Sequence, residues 1–331
     1  MTPLDLVLVT AVLAFAWSLG AHYTGACMGM PYGSGSIRLW PALVVMAVLA
    51  FAGATLASHR VEVTVGLHLV DARRVTVAGA VVVILVAFAL TTLYNAVRVP
   101  TSTIQVLVFS VAGVAWGAGI PIHWATILRL AVVWVLAPPL AAGLGFLLTR
   151  GLDHVVRERP PAPAGRTGAA GTPVRPTFWA TLLVLVGAAA SFTMGANDVS
   201  NATGALVMTR LFNVWTAGIL GGLGLLVGVL TWGRPLLETV AFDIVHVDLA
   251  MASAAQFVQA AVVFAAVVFG FFTSMNQALV GAMTGAGMAR GQGTVAWPVV
   301  RNILTGWAAG PPAGLVLGCL AARLVGHWIP L

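Results

Sequence analysis

Lysine is absent from this chain, and charged side chains of any kind are scarce. All 16 basic residues are arginines, 9 residues are acidic, and charged residues make up 8% of the 331. Without lysine the chain cannot form the Gly-x-x-x-x-Gly-Lys loop that binds nucleotide phosphates. Any energy that the protein uses must then come from an ion gradient, unless a partner subunit supplies ATP.

Cysteine is nearly absent as well, with only Cys27 and Cys319, each inside an apolar stretch. Two such residues give neither a disulfide framework nor the spacing of a metal site. No acid, base and nucleophile come together in a catalytic pattern. We therefore expect a protein that is not an enzyme and that carries no resident cofactor.

Apolar residues and glycine are abundant instead. Hydrophobic residues make up 60% of the chain, the mean hydropathy is +1.00, and there are 37 glycines. This composition is typical of a polytopic, all-α membrane protein. The net charge of +7 comes from arginines at the ends of apolar runs and in one linker. Such a distribution orients a protein in a membrane, whereas nucleic-acid binding needs the charges clustered on one face.

Eight apolar runs have the length of a helix that crosses a bilayer, about 20 residues each. They lie at roughly 4–26, 40–58, 76–98, 124–148, 177–198, 214–232, 252–272 and 298–325. The segment 150–176 is rich in proline, glycine, alanine and arginine, and we predict a cytoplasmic linker there. It separates a first membrane repeat, 1–149, from a second, 177–331.

The two halves share blocks of sequence in the same order and at nearly constant offset. The blocks pair Gly20-Ala21 with Gly195-Ala196 (offset 175), Trp40 with Trp215 (175), Thr101-Ser102 with Thr273-Ser274 (172), and Trp134 and Pro138-Pro139 with Trp307 and Pro311-Pro312 (173). Broken segments at equivalent positions of two halves are typical of secondary transporters with inverted repeats and a site near the bilayer midplane. If each half crosses the membrane an odd number of times, both termini lie outside.

The segment from Gly195 to Gly204 places Asn197, Asp198 and Asn201 inside an apolar run. A carboxylate at the bilayer centre costs about 2.5–3.5 kcal/mol on insertion scales, so it faces protein, water or an ion. The glycines predict a helix break whose freed carbonyl, with these side chains, would suit Na⁺ at Asn197 and Asp198. Asp198 could instead bind a proton. A structural salt bridge is a further alternative, although no arginine is near in sequence.

The equivalent positions of the first half hold His22 and Tyr23, so that half offers no matching carboxylate. His22 is either a protonatable group that takes part in cation coupling or a polar packing residue. The imidazole pKa lies close to neutral pH, which suits the first role, but the sequence leaves both open.

Two Thr-Ser segments, each between an apolar helix and a glycine-rich apolar run, are typical of re-entrant hairpins. Hydroxyls and free amides at a helix N-terminus can hold an oxyanion without a fixed opposite charge. The candidate anion-binding residues are Thr101, Ser102, Thr103, Thr273, Ser274 and Asn276. The alternative is that these side chains only bond neighbouring helices. Their recurrence across the repeat favours binding.

Residues 195–202 read GANDVSNA and resemble the GANDVANA signature of the inorganic phosphate transporter (PiT) family. The paired Thr-Ser segments and the Trp-x-x-x-Pro repeats also resemble that family, and the resemblance covers nearly the whole chain. It implies inverted repeats with re-entrant hairpins, cation-coupled uptake of an inorganic oxyanion, and a homodimer in the bacterial cell membrane. It also implies that Asn197 and Asp198 take the cation or lie beside the anion, and that the hairpin hydroxyls hold the oxyanion.

One departure from that family bears on the substrate. Phosphate members carry the Asn-Asp pair in both halves, whereas His22 and Tyr23, with the segment 28–35 that follows, look more like the CysP-type sulfate permeases of the same family. HPO₄²⁻ has a hydrogen to donate to a second carboxylate, and sulfate has none. We expect symport of sulfate ahead of phosphate, with H⁺ or Na⁺. A sodium-coupled phosphate transporter and an uncoupled anion channel are the alternatives.

Overall fold

The computed structural model describes residues 1–71, 73–155, 177–243, 248–291 and 295–327, and these fold into helices joined by short turns. The first half consists of α1 (Pro3–His22), α2 (Thr24–Gly33), α3 (Leu39–Leu56), α4 (His59–Leu67), α5 (Val77–Ala96), α6 (Thr103–Ala118) and α7 (Trp124–Val155). The second half consists of α8 (Phe178–Asp198), α9 (Ser200–Met208), α10 (Val214–Trp232), α11 (Arg234–Asp243), α12 (Leu249–Val268), α13 (Met275–Arg290) and α14 (Trp297–Gly326).

Eight helical stretches in this described part are long and apolar enough to cross a membrane. Each of the eight predicted apolar runs falls on one of them, with α1–α2 and α8–α9 each counted as one stretch. Two short and more polar segments, 59–67 and 234–243, form the helices α4 and α11. Of the predicted linker, 150–155 continue α7, and 156–176 lie outside the described residues.

Local sequence fixes where several helices begin. Thr76, Thr177, Asn213 and Asp248 stand immediately before α5, α8, α10 and α12. Each side chain accepts a hydrogen bond from the amide three residues further on. Such caps satisfy amides that the first turn of a helix leaves free, and each contributes about 1 kcal/mol.

Helices of one half pack directly on helices of the other through glycines. A Cβ atom on Gly53 of α3 would lie 1.9 Å from a carbonyl oxygen of α8, and one on Gly195 of α8 would lie 1.9 Å from a carbonyl oxygen of α3. The same arrangement joins α1 and α10, where a Cβ on Gly20 or Gly228 would lie 2.1 or 1.9 Å from the facing carbonyl oxygen. Only glycine permits such close backbone contact.

The helices that follow the two Thr-Ser segments are held in the same way. α6 packs along α14, and α13 packs along α7. A Cβ on Gly113 of α6 would lie 2.2 Å from a carbonyl oxygen of α14, and one on Gly285 of α13 would lie 1.8 Å from a carbonyl oxygen of α7. The halves therefore interlock, and equivalent contacts recur at the offset of the sequence repeat. The inversion of one half relative to the other stays a prediction.

Candidate anion and cation site

Two non-helical segments join consecutive helices, one between α5 and α6 and one between α12 and α13. Each begins with a residue in the left-handed region, Arg98 (φ 57°) in the first and Gly270 (φ 73°) in the second. This geometry turns the chain back after a helix; glycine adopts it freely, whereas an arginine there is strained. Both segments end at buried Thr-Ser pairs, where the sequence predicts hairpin tips.

In the second half, two side chains hold the backbone of the turn. Asn197 donates from Nδ2 to the carbonyl oxygen of Thr273 at 2.8 Å and accepts from the Thr273 amide at 3.3 Å. The indole N–H of Trp134 donates to the carbonyl oxygen of Phe272 at 3.1 Å. The turn that leads into α13 is thus fixed both from α8 and from α7.

His22 occupies the same place in the first half. Its Nε2 lies 3.1 Å from the Thr101 carbonyl oxygen and 3.3 Å from the Thr101 amide nitrogen, and its Nδ1 lies 2.5 Å from Oδ1 of Asn95. Because Asn95 Oδ1 is an acceptor, Nδ1 carries the hydrogen and Nε2 is free to accept. Trp307 donates to the Pro100 carbonyl oxygen at 3.2 Å, as Trp134 does in the second half. His22 therefore holds the hairpin as Asn197 does.

Side chains from the two halves meet between the turns. Asn276 donates from Nδ2 to the Thr101 carbonyl oxygen at 2.8 Å and lies 3.1 Å from His22 Nε2. Gln105 and Gln277, equivalent in the repeat, exchange two hydrogen bonds between their amides at 3.4 and 3.3 Å. These contacts bring the N-termini of α6 and α13 together at one place.

Asp198 lies in this central region, fully buried. Tyr23 and Asn197 lie beside its carboxylate, and Asn201 Nδ2 is 3.5 Å from Oδ1. The Tyr23 hydroxyl is 2.7 Å from Thr103 Oγ1, which also accepts from Asn201 Nδ2 at 3.2 Å. No ion pair with Asp198 occurs within the described ranges, and so the salt-bridge alternative finds no support there.

Several buried polar atoms in this region have no hydrogen-bond partner. They are Thr101 Oγ1, Ser102 Oγ, Thr273 Oγ1, Asp198 Oδ2 and Asn201 Oδ1. Buried polar groups in native proteins nearly always have a partner, so a cluster without partners indicates a place for a ligand. Three of these atoms are hydroxyls, which can donate to an oxyanion, and two are carbonyl or carboxylate oxygens, which attract a cation.

The two helix N-termini differ in how they are capped. Ser274 Oγ accepts from the amide of Gln277 at 3.3 Å and caps α13. Ser102 stands in the same position before α6 and makes no capping bond. The first-turn amides of α6 therefore lack the usual side-chain acceptor, and an anion can take its place.

The helix break expected after Asp198 is small. α8 ends at Asp198 and α9 begins at Ser200, but Val199 between them keeps helical geometry (φ −58°, ψ −37°). The hydroxyl of Ser200 donates to the carbonyl oxygen of Asn197 at 2.9 Å. The carbonyl oxygen of Asn197 therefore already accepts one hydrogen bond.

All candidate residues named from the sequence lie in or next to this region. Tyr23, Gln105 and Gln277 belong to it too, although they were not among the candidate site residues named from the sequence. A signal was present for each, because Tyr23 is the repeat equivalent of Asp198 and the glutamines align with each other at an offset of 172. Cys27, which the sequence leaves without a role, is also fully buried, on α2.

A many-spanning helical bundle with an uncharged set of hydroxyl donors beside one buried carboxylate defines a membrane protein that moves ions. Residues 19–318 match the Phosphate transporter family, and the chain belongs to that family. The protein is thus a multi-pass transporter of the membrane and not an enzyme, as expected from the sequence.

Individual relatives agree with this assignment. The chain is 27% identical over 326 residues to the sulfate permease CysP of Bacillus subtilis, covering 97% of this chain and 88% of that protein. It is 23% identical over 398 residues to a protein of Pyrococcus furiosus named as a phosphate permease, covering 98% and 97%. A solved structure titled "The sodium-dependent phosphate transporter" has the same fold, with a TM-score of 0.83, 20% identity and coverage of 99% of this chain and 100% of that one.

Proposed function

We propose that the protein imports an inorganic oxyanion by symport with a cation, and that the oxyanion binds between the N-termini of α6 and α13. The observation that carries this proposal is that the buried hydroxyls of Thr101, Ser102 and Thr273 at the two turns, and the buried Oδ2 of Asp198, have no hydrogen-bond partner. Neutral donors and a helix N-terminus attract an anion, yet they release it more easily than an arginine would.

Sulfate is the substrate that we favour. The repeat puts Tyr23 where a second carboxylate would stand, so the region offers one acidic acceptor and an additional O–H donor. HPO₄²⁻ has a hydrogen that needs an acceptor, whereas sulfate only accepts. The likeness to the Bacillus subtilis sulfate permease over 97% of this chain supports the same choice.

Asp198 is the group that we propose to carry the coupling cation. Its Oδ2 and the Oδ1 of Asn201 are buried oxygens without partners, and both atoms of the Asn197 amide already bond the Thr273 backbone. We therefore place the cation, H⁺ or Na⁺, at Asp198 and Asn201, with Asn197 as a positioning residue. His22 positions the backbone of Thr101. Whether it also binds the coupling proton is tested below.

Uptake into proteoliposomes tests the proposal. Radiolabelled sulfate and phosphate are offered separately, each with an imposed proton gradient or an imposed sodium gradient. We expect gradient-driven uptake of sulfate, and we expect phosphate to compete with it only weakly. Asp198→Asn should abolish coupled uptake without preventing folding, whereas Asp5→Asn, at the exposed start of α1, should behave as wild type. Coupled uptake that persists in Asp198→Asn would refute the cation assignment.

Two alternatives have distinct outcomes in the same assay. Sodium-driven phosphate uptake is the second candidate, favoured by the family and by the Pyrococcus furiosus relative. This result would mean that one Asn-Asp pair is enough for sodium-coupled phosphate transport. Rapid uptake that follows the anion gradient and does not depend on the proton or the sodium gradient would indicate an uncoupled channel instead.

We further propose a homodimer in the bacterial cell membrane, with the linker on the cytoplasmic side and both termini outside. The arginines of 150–176 support this orientation, because positive charge accumulates on the cytoplasmic side. Labelling of single cysteines introduced at the termini, in intact and in opened cells, tests the topology. Chemical crosslinking in the membrane followed by mass measurement tests the dimer.

A further inference from the structure

A second carboxyl group is buried in the protein. Glu62 on α4 has an exposed fraction of 0%. Its Oε1 lies 3.1 Å from the hydroxyl of Ser58 and 3.0 Å from the hydroxyl of Thr203 on α9. Its Oε2 has no hydrogen-bond partner. The Asp198 site and the hairpins make no use of this group.

The hydrogens available around Glu62 are too few for the contacts observed. The Ser58 hydroxyl is also 2.6 Å from the Ala54 carbonyl oxygen, and the Thr203 hydroxyl is also 3.0 Å from the Val199 carbonyl oxygen. Each hydroxyl has one hydrogen and two acceptors within reach. Four oxygen–oxygen contacts therefore share two hydrogens, and a proton on the carboxyl group supplies a third.

Among the residues that the structure describes, no basic side chain forms an ion pair with this carboxyl group. α4 packs against α8, α9, α10 and α12, and these four helices contain no arginine or histidine; Asp198 at the end of α8 is their one titratable residue. On α4 itself, Arg60 donates to the Val268 carbonyl oxygen at 2.8 Å, and the ring of His59 lies against Trp215, with centroids 3.8 Å apart.

A carboxylate in such surroundings is expensive to keep ionised. Burial raises the pKa of Glu62 to about 7, although hydrogen bonds from Thr203 and Ser58 act in the opposite direction. The group therefore exchanges its proton near neutral pH, where a small change in its surroundings decides whether it is charged.

We propose that Glu62, together with Ser58 and Thr203, is a proton-binding site of the transporter, separate from the cation site at Asp198. The carboxylate takes a proton from a hydronium ion, which becomes water, forms an O–H bond on one of its oxygens, and later in the transport cycle returns the proton to a water molecule. The existence of the site does not depend on the anion. Its place in the cycle rests on the proposed symport.

The position of Thr203 connects this site to the centre of the molecule. Thr203 lies on α9, which follows Asp198 after the single residue Val199. When Glu62 loses its proton, the hydroxyls of Ser58 and Thr203 both donate hydrogen bonds to the carboxylate. Their hydrogen bonds to the carbonyl oxygens of Ala54 and Val199 are then weakened or lost. Protonation thus changes the contact of α4 with α9, the helix that follows Asp198 in the chain.

Infrared spectroscopy of the reconstituted protein tests the site without any transport. Spectra recorded across the neutral pH range should show a carboxylic acid C=O stretch that disappears as the pH rises. We expect Glu62→Gln to remove this band. The matched control is Glu238→Gln, a partly exposed glutamate on α11 that pairs with Arg234, and it should leave the band in place. A spectrum in which Glu62→Gln changes no titrating band overturns the proposal.

A milder variant covers the case in which Glu62→Gln does not fold. Thr203→Val keeps the shape of the side chain but removes one hydrogen bond to the ionised carboxylate. We expect the midpoint of the band to move to higher pH, by a roughly three- to tenfold gain in proton affinity. Thr203→Ser should restore the wild-type midpoint. A pH midpoint that is the same in Thr203→Val and wild type contradicts a proton site made of these residues. A band that responds to sodium at constant pH contradicts it as well.

The number of protons transported per oxyanion then tests whether the Glu62 site takes part in the transport cycle. An internal pH indicator in the proteoliposomes gives the number of protons that enter per oxyanion, and Glu62→Gln should carry one fewer than wild type. An unchanged ratio rejects the coupling role while the infrared result stands. Absence of oxyanion uptake by the wild type would count against the proposed function and not against the proton site.

Discussion

A phenol stands at the centre of the protein where the repeat places a second carboxylate. Tyr23 bonds Thr103 at 2.7 Å and lies beside Asp198. Two unit negative charges 4 Å apart repel by about 4 kcal/mol at an effective dielectric constant of 20. With tyrosine in one half, the region contains at most one fixed negative charge before the anion arrives. A divalent oxyanion in the proposed site would therefore meet less repulsion than in a site with two carboxylates.

The serines of the two hairpins should respond differently to removal of the hydroxyl. Ser102→Ala deletes a donor without an internal partner, so we expect weaker anion affinity, by about 0.5–3 kcal/mol, and unchanged stability. Ser274→Ala also deletes the cap of α13 and should lower stability by about 1 kcal/mol besides. Apparent affinity from uptake and thermal unfolding in detergent measure the two effects.

A control for the serine pair exists on α6. Ser110 is buried and donates to the Val106 carbonyl oxygen of its own helix at 2.7 Å. Ser110→Ala should leave the anion affinity unchanged. Equal affinities for Ser102→Ala, Ser274→Ala and wild type would show that the hairpin hydroxyls do not bind the substrate.

His22→Asn should preserve transport, whereas His22→Ala should not. Asparagine holds the equivalent turn in the second half through both atoms of its amide, and so it can bond Thr101 in place of the imidazole. Alanine leaves the buried Thr101 amide without its acceptor, a loss of about 1–3 kcal/mol. Uptake measured across pH separates the two roles of His22. A pH dependence that vanishes in His22→Asn indicates a proton carrier, and one that persists indicates a positioning residue.

At the scale of helices, hydropathy was sufficient to predict the long elements. All eight apolar runs coincide with helices that can span a membrane, because the requirement of a bilayer for about 20 apolar residues is strict. The short helices α4 and α11 were missed, since they are too polar to resemble spans. The size of the break at Val199 was also overestimated, because glycines permit a break but do not require one.

Gly195 carries a prediction at the same scale. Gly195→Ala would place a Cβ 1.9 Å from the Ala50 carbonyl oxygen, so α3 and α8 must separate. We expect a loss of about 1–3 kcal/mol or more of stability and a displaced Asn197. Gly143→Ala on α7 is the matched control, since no atom lies within 4 Å of the added Cβ. Thermal unfolding of both variants measures the loss of stability. Equal stability of Gly195→Ala and Gly143→Ala would refute the close packing of α3 and α8.

At the scale of the molecule, the two repeats are not separate domains. α1 and α3 of the first half pack on α10 and α8 of the second, and α6 and α7 pack on α14 and α13. The sequence showed that the halves repeat, but it could not show which helices meet, because pairing between halves depends on contacts far apart in the chain. The burial of Glu62 escaped notice for the same reason.

Two fragments, 1–155 and 177–331, should therefore assemble when they are produced together and fail when produced alone. Each fragment by itself exposes the glycine faces that the other covers. Copurification from the membrane and recovery of uptake measure assembly. Introducing Gly195→Ala into the second fragment should prevent copurification. A single fragment that is stable and monodisperse would contradict interlocked halves.

The four glycines at the contacts between halves also limit how such a chain can change over generations. Gly20, Gly53, Gly195 and Gly228 each lie in one half against the backbone of the other, so a larger residue at any of them disturbs both halves at once. The two copies of the repeat cannot drift apart there. At the neighbouring positions, where His22 and Tyr23 face Asn197 and Asp198, they have diverged. The glycines of the packing surfaces are therefore the same in both repeats, whereas the central residues differ between them.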